Sequence, residues 1–133
     1  METMAPVARK EHDVRFLSIY KAKETGVPPT PEHMAAMQKL IDEMSQAGVL
    51  VGTEGCLPSA KGARIRIADG RYTVVDGPFT EAKELVGGFA ILEAKSKEEA
   101  IEHTKTFLKV VGEGECELRQ LYEVPAAALQ ETR

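Results

Sequence analysis

Residues 15–22 read RFLSIYKA, and this short stretch decides the fold. Leu17 and Ile19 alternate with two aromatic side chains, so a strand here would carry large apolar groups on both of its faces. This pattern is typical of a central strand that is covered on both sides. Residues 88–95 (GFAILEAK) show the same two-sided pattern. We therefore predict two central strands of one sheet.

Two helices are predicted from their end signals. The first begins with Thr30 as N-cap and Pro31 at the first helical position, and it ends at Gly48. The second begins at the capping box SKEE (96–99) and ends at Gly112. The apolar side chains expected to face the core are Met34, Met37, Leu40, Ile41 and Met44 in the first helix, and Ala100, Ile101, Thr104, Phe107, Leu108 and Val111 in the second.

Four further segments have strand character. They are Val49–Gly52, Ala63–Ile67, Tyr72–Val75 and Cys116–Val124. The dipeptide Asp69-Gly70 indicates a tight hairpin between the middle two. The strict alternation of residues 63–67 predicts that Ile65 and Ile67 lie on a buried face and that Arg64 and Arg66 project together from the other.

The order of elements is therefore β-α-β, a hairpin, then β-α-β, which predicts a ferredoxin-like α+β sandwich. Two helices can cover only one face of its sheet, whereas the central strands are apolar on both faces. We expect a second copy to cover the other face, so the protein is predicted to be a homodimer with stacked sheets. The single domain is expected to span residues 14–124, with a polar arm at 1–13 and a tail at 125–133.

Composition excludes several classes of function. The net charge of −4 and the pI near 5.4 argue against a nucleic-acid-binding protein, which needs a concentrated basic surface. No apolar run approaches the length of a membrane span, and the N-terminus lacks the apolar core of a secretory signal. Cys56 and Cys116 stand alone, so we predict two buried, reduced thiols in a cytoplasmic protein that binds no metal and needs no cofactor.

The loop DGPF (76–79) has two interpretations that the residues leave open. In the structural one, Asp76 accepts hydrogen bonds from amides two and three residues on, Gly77 permits positive φ and close approach, and Phe79 plugs the core. Thr80 would then cap one helical turn over residues 81–84. In the functional one, Asp76 stands at the rim of a cleft with Glu81 or Glu84, where a carboxylate orients a base or holds a substrate.

Of the three histidines, His33 is the candidate base. It lies in the first turn of the first helix, where unpaired amides favour a neutral imidazole. His12 lies in the polar arm, and His103 is expected at the boundary of the second helix. Nucleophilic catalysis by Cys56 or Ser59 has little support, because neither has an activating sequence context.

Residues 73–102 (TVVDGPFTEAKELVGGFAILEAKSKEEAIE) closely resemble the signature of the DGPF branch of the YCII-related (YciI-like) family. The segments GVLVGTEGCLPSAKGARI (48–65) and ECELRQLYEV (115–124) follow in the family's order. The resemblance implies a dimeric α/β-barrel. Some members look like lyase-type or hydrolase-type enzymes with a histidine–aspartate pair, and PEHMAAM (31–37) is similar to the place where shorter members carry the histidine.

Two functions follow as hypotheses. In the first, the protein is a cofactor-free acid/base enzyme that acts on a small organic molecule in an interface cleft. His33 and Asp76 would share this cavity, Arg64 or Arg66 would bind an anionic substrate, and Phe79 and Glu81 would be further contacts. In the second, the protein is a non-catalytic ligand-binding or regulatory module. The resemblance links it to sigma factors of the extracytoplasmic-function type, because many genes of the family lie beside theirs.

Overall fold

The computed structural model describes residues 13–123. A four-stranded antiparallel sheet has the order β2-β5-β1-β6, and β3 and β4 form a separate two-stranded sheet. The elements are β1 (Val14–Ala22), α1 (Pro31–Gln46), β2 (Leu50–Gly55), a 3₁₀ turn (Ser59–Lys61), β3 (Ala63–Ala68), β4 (Arg71–Asp76), β5 (Leu85–Ala94), α2 (Lys97–Val111) and β6 (Glu115–Gln120). The predicted ferredoxin-like α+β fold is confirmed. The predicted arm and tail, with His12, lie outside the described residues, except for Asp13.

The core lies between α2 and one face of the sheet. Phe16 is 2% exposed and contacts Ala94 and Ala100, which are also buried. On the same face of β1, Tyr20 meets Phe107 of α2 edge-on, with 5.4 Å between the ring centroids. The aromatic side of RFLSIYKA therefore faces the helices, as a strand period of two requires.

Both helices begin where the capping signals predict. The hydroxyl of Thr30 accepts a hydrogen bond from the amide of His33, and that of Ser96 accepts one from the amide of Glu99. Each bond satisfies an amide that the helix itself cannot pair. Gly112 adopts φ +99° just after α2, a conformation that favours glycine.

The apolar stripe of α1 does not form core, contrary to the prediction. Leu40 is its one buried residue, and Met34 is 58% exposed. The helix packs against α2 and β2 more than it packs against the central strands β1 and β5. It therefore lies away from the middle of the sheet. Its methionines instead form the wall of a cleft described below.

The sheet face opposite the helices, called the outer face here, is apolar at its centre. Leu17 lies beside Ile91, and Ile19 lies beside Phe89 on the neighbouring strand. The four side chains are half-buried or exposed, and Phe89 is 37% exposed. This face corresponds to the one that the sequence predicts a second copy to cover.

Residues 63–76, the hairpin arm, extend from the body of the protein. All residues of both strands are exposed, and Ile65 and Ile67 are 66% and 59% exposed, so the prediction that they are buried is wrong for the single chain. Strand register places Tyr72 and Val74 on the same face as these isoleucines. The arm pairs only with itself, so nothing in the described chain covers its apolar face.

Candidate functional site

The DGPF segment forms a tight corner against the 3₁₀ turn. The amide of Gly77 donates to the carbonyl of Gly62 (2.9 Å), and the Gly77–Pro78 peptide bond is cis. A Cβ atom at position 77 would lie 1.7 Å from the carbonyl oxygen of Ser59. Glycine is therefore required here by close approach of the backbone; the predicted positive φ is not observed.

Ser59 connects this corner to the loop after β1. The Phe79 amide donates to Ser59 Oγ (3.2 Å), and Ser59 Oγ donates to Glu24 Oε1 (2.7 Å). The Ser59 amide donates to the other carboxylate oxygen of Glu24 (2.6 Å). Ser59 is 9% exposed, so these bonds are partly buried at the serine, and together they connect three segments of the chain. No local sequence pattern indicates this network, because Glu24 and Ser59 are 35 residues apart.

The predicted hydrogen bonds to Asp76 are absent. Residue 78 is proline, which has no N–H, and the Phe79 amide bonds to Ser59 instead. No hydrogen bond or ion pair among residues 13–123 involves the Asp76 carboxylate, which stands exposed at the end of β4. The helical turn predicted for residues 81–84 is also absent: the Ala82 amide bonds to the Phe79 carbonyl in a single turn.

A small cavity of about 500 Å³ lies at the base of the hairpin arm. Its lining includes Lys61, Arg64 and Phe79. The Arg64 guanidinium stacks over the Phe79 ring, 4.0 Å from its centroid, and forms an ion pair with Glu81. The backbone amide of Glu81 and the Arg64 guanidinium lower the pKa of the Glu81 carboxyl. Glu81 is therefore ionised at neutral pH and balances the charge of Arg64.

Three of the predicted site residues, Arg64, Phe79 and Glu81, are thus brought together. Arg66 lies on the same face of the arm as Arg64, as predicted, but it is not among the residues that line either cavity. Asp76 does not line either cavity.

A larger cleft of about 1250 Å³ separates α1 from α2 and the helix-facing side of the sheet. Apolar side chains form most of its wall; they include Met34, Met37, Leu40, Ile41, Met44, Leu50, Leu92 and Phe107. His33 stands on the α1 side next to the proline-containing loop 27–30, and His103 projects from α2. The cleft lies within one chain, whereas the sequence predicts a cleft at the dimer interface.

The polar groups of this cleft differ from those predicted. Glu24, Glu54 and Glu113 line it together with Lys23 and the two histidines. The hydroxyl of Tyr20 donates to the carbonyl of Glu113 (2.8 Å), and burial raises the pKa of that phenol. His33 and Asp76 are therefore not in one cavity of the described chain.

The two cysteines are free, as predicted, but they are not both buried. Cys56 is exposed and lines both cavities, and Cys116 is half-buried. Burial raises the pKa of the Cys116 thiol. Residues 13–123 contain no group of three or more side chains suited to hold a metal ion.

The architecture is that of an α+β protein with a ferredoxin-like sheet and a ligand-sized cleft under its helices. The family model for the YCII-related domain matches residues 14–124, and the chain belongs to that family. A comparison with the curated proteins found no match. Among the described helices, none has the length and apolar character that crossing a membrane requires.

Proposed function

We propose that this YCII-related protein binds a small organic molecule in the cleft beneath its helices and carries out acid/base chemistry on it without a cofactor. The observation that carries the proposal is the cleft itself. Its apolar wall and its few polar groups are the usual attributes of a small-molecule site, and its volume of about 1250 Å³ is large enough to hold such a molecule.

His33 is the base in this proposal. Its backbone is fixed by the hydrogen bond to Thr30, and its half-buried imidazole lines the cleft. From this position at the edge of an apolar cavity the imidazole can approach a proton of a bound molecule, as a general base must. Glu24 lines the same cleft, and hydrogen bonds from Ser59 hold both of its carboxylate oxygens in place. In this proposal Glu24 takes the role predicted for Asp76, which is to orient the base or hold the substrate. Arg64 and Arg66 stay outside the cleft and do not contact the ligand.

The proton-abstraction role is tested with 5-nitrobenzisoxazole, a neutral aromatic probe. A base removes its ring C–H proton, the N–O bond breaks, and a coloured cyanophenolate forms. We expect His33→Ala to lower kcat/KM for this probe at least about tenfold, the lower part of the range for general-base catalysis. His103→Ala is the matched control, because this histidine lines the same cleft; it should change the value less than about twofold. Equal rates for wild type and His33→Ala would contradict the assignment.

The active form in this proposal is a homodimer in the cytoplasm that belongs to the DGPF branch of the family, and the DGPF sequence at residues 76–79 supports that membership. The apolar face of the hairpin arm supports dimerisation, since a two-stranded hairpin is at best marginally stable in water by itself. Its occupant in the proposal is a second copy, whose outer sheet face offers Leu17, Ile19, Phe89 and Ile91 as an apolar counterpart.

A non-catalytic module, linked in the cell to an extracytoplasmic-function sigma factor, is the second candidate. The separation of Asp76 from the cleft favours it, because the histidine–aspartate pair of the enzymatic hypothesis is then incomplete. Saturable binding in the cleft without turnover of any probe would support this candidate over the enzyme.

A further inference from the structure

The ionisable groups of the cleft determine which molecules it can take. Two carboxylates, those of Glu24 and Glu113, line it against one ammonium group, that of Lys23. Glu54 also borders the cleft, but it lies opposite Phe89, so its side chain projects from the outer face of the sheet. None of the described residues that line the cleft is an arginine. The hydrogen bonds that Glu24 accepts from Ser59 come from neutral donors, so they leave its negative charge in place.

The wall of the cleft is mostly apolar. Apolar side chains such as Met37 and Leu92 offer a bound molecule an apolar surface, and the exposed carboxylates of Glu24 and Glu113 act on its charge through solvent. An anionic ligand would meet net repulsion. A cationic group would be attracted, and the aromatic ring of Phe107 and the methionine sulfurs suit an aromatic or aliphatic body.

Two other cationic side chains lie in the neighbouring cavity. Lys61 and Arg64 line the small cavity at the base of the hairpin arm, and Arg64 is already paired with Glu81. Of the three described lysine and arginine side chains that line the two cavities, two therefore lie in the small one. The sequence hypothesis of an anionic substrate held by arginines is therefore not supported for the large cleft.

We infer that the cleft selects uncharged and cationic organic molecules over anionic molecules of the same size and shape. This inference rests on the proposed function and specifies its class of substrate. An amine or alcohol with an apolar body is accepted, and the corresponding carboxylate is rejected.

The test compares three naphthalenes that differ in charge: 2-(aminomethyl)naphthalene, 2-naphthalenemethanol and 2-naphthoate. Titration calorimetry with the full chain at low ionic strength and about pH 8, where a histidine side chain in water is neutral, gives their Kd values. We expect the amine to bind at least about tenfold more tightly than the carboxylate, with the alcohol between them, and added salt to reduce the difference.

Charge variants test whether the preference for the amine over the carboxylate arises in the cleft. Glu113→Gln removes one negative charge of the cleft at an exposed position and leaves the Ser59 network intact. It should reduce the amine-to-carboxylate ratio at least about threefold. Glu43→Gln makes the same change in net charge at an exposed position outside the cleft and should leave the ratio unchanged.

The outcomes separate the two proposals. Tightest binding of 2-naphthoate, or an unchanged ratio in the cleft variant, would overturn the charge selection and leave the binding function in place. Failure of all three compounds to bind would overturn both.

Discussion

Charges on the apolar face of the hairpin arm should abolish the proposed dimer and leave a monomer. Ile65→Lys with Val74→Glu places an ion pair at two directly opposed positions of the arm. The opposite charges preserve cross-strand pairing, so the hairpin itself is retained. The proposed dimer contact loses two apolar side chains, and burial of each contributes about 1.5–3 kcal/mol of free energy. The dissociation constant of the dimer should therefore rise at least about a hundredfold.

Sedimentation equilibrium at micromolar concentration measures this effect. Wild type should sediment at twice the 14.5 kDa chain mass, and the variant at the chain mass itself. The matched control is Arg66→Lys with Thr73→Glu, an opposed pair on the other face of the same arm, which should remain dimeric. A wild-type monomer, or loss of the dimer in the control alone, would refute the role of the arm's apolar face.

Replacement of Gly77 by alanine should destabilise the fold severely. The new methyl group would lie 1.7 Å from the backbone oxygen of Ser59, a distance at which the corner has to move. Movement of the corner breaks the bonds of Ser59 to Phe79 and Glu24, and buried groups lose their partners. We expect a loss of at least about 3 kcal/mol in the free energy of unfolding, which corresponds to a fall in Tm of roughly 10 °C.

Gly52→Ala is the control for this substitution. A Cβ atom there has no heavy atom within 4 Å, and the backbone of Gly52 is not in the positive-φ region. Its stability to urea should stay within about 0.5 kcal/mol of wild type. If Gly77→Ala were as stable as this control, the DGPF corner would not be the structural element described here.

The helices and the central strand could be predicted from the sequence because the patterns that indicate them are local. Thr30 and Ser96 cap the two helices as predicted. The side-chain hydroxyl of each accepts a hydrogen bond from the backbone amide three residues further on, which sets the first residue of the helix. The two-sided pattern of residues 15–22 likewise predicts a central strand, and the observed strand is Val14–Ala22. Each of these features depends on backbone geometry that neighbouring side chains determine.

The candidate site was harder to predict because it depends on distant contacts. The bond between Ser59 and Glu24 needs the whole β1–α1–β2 unit to bring its partners together. The methionine stripe of α1 indicates an apolar helix face, but periodicity cannot distinguish a packed core from the wall of a cavity. The alternation in β3 has the same ambiguity: it identifies an apolar face at Ile65 and Ile67 without identifying what covers it.

The central claim is that the space beneath the helices is a binding site and not loosely packed core. The methyl groups of Met34, Met37 and Met44 line that space and can be labelled with ¹³C. In methyl NMR spectra, titration with 2-naphthalenemethanol should shift all three resonances, with one common Kd, and single Met→Leu variants would assign them. Methionine resonances that remain unmoved up to the solubility limit of the probe would contradict the account.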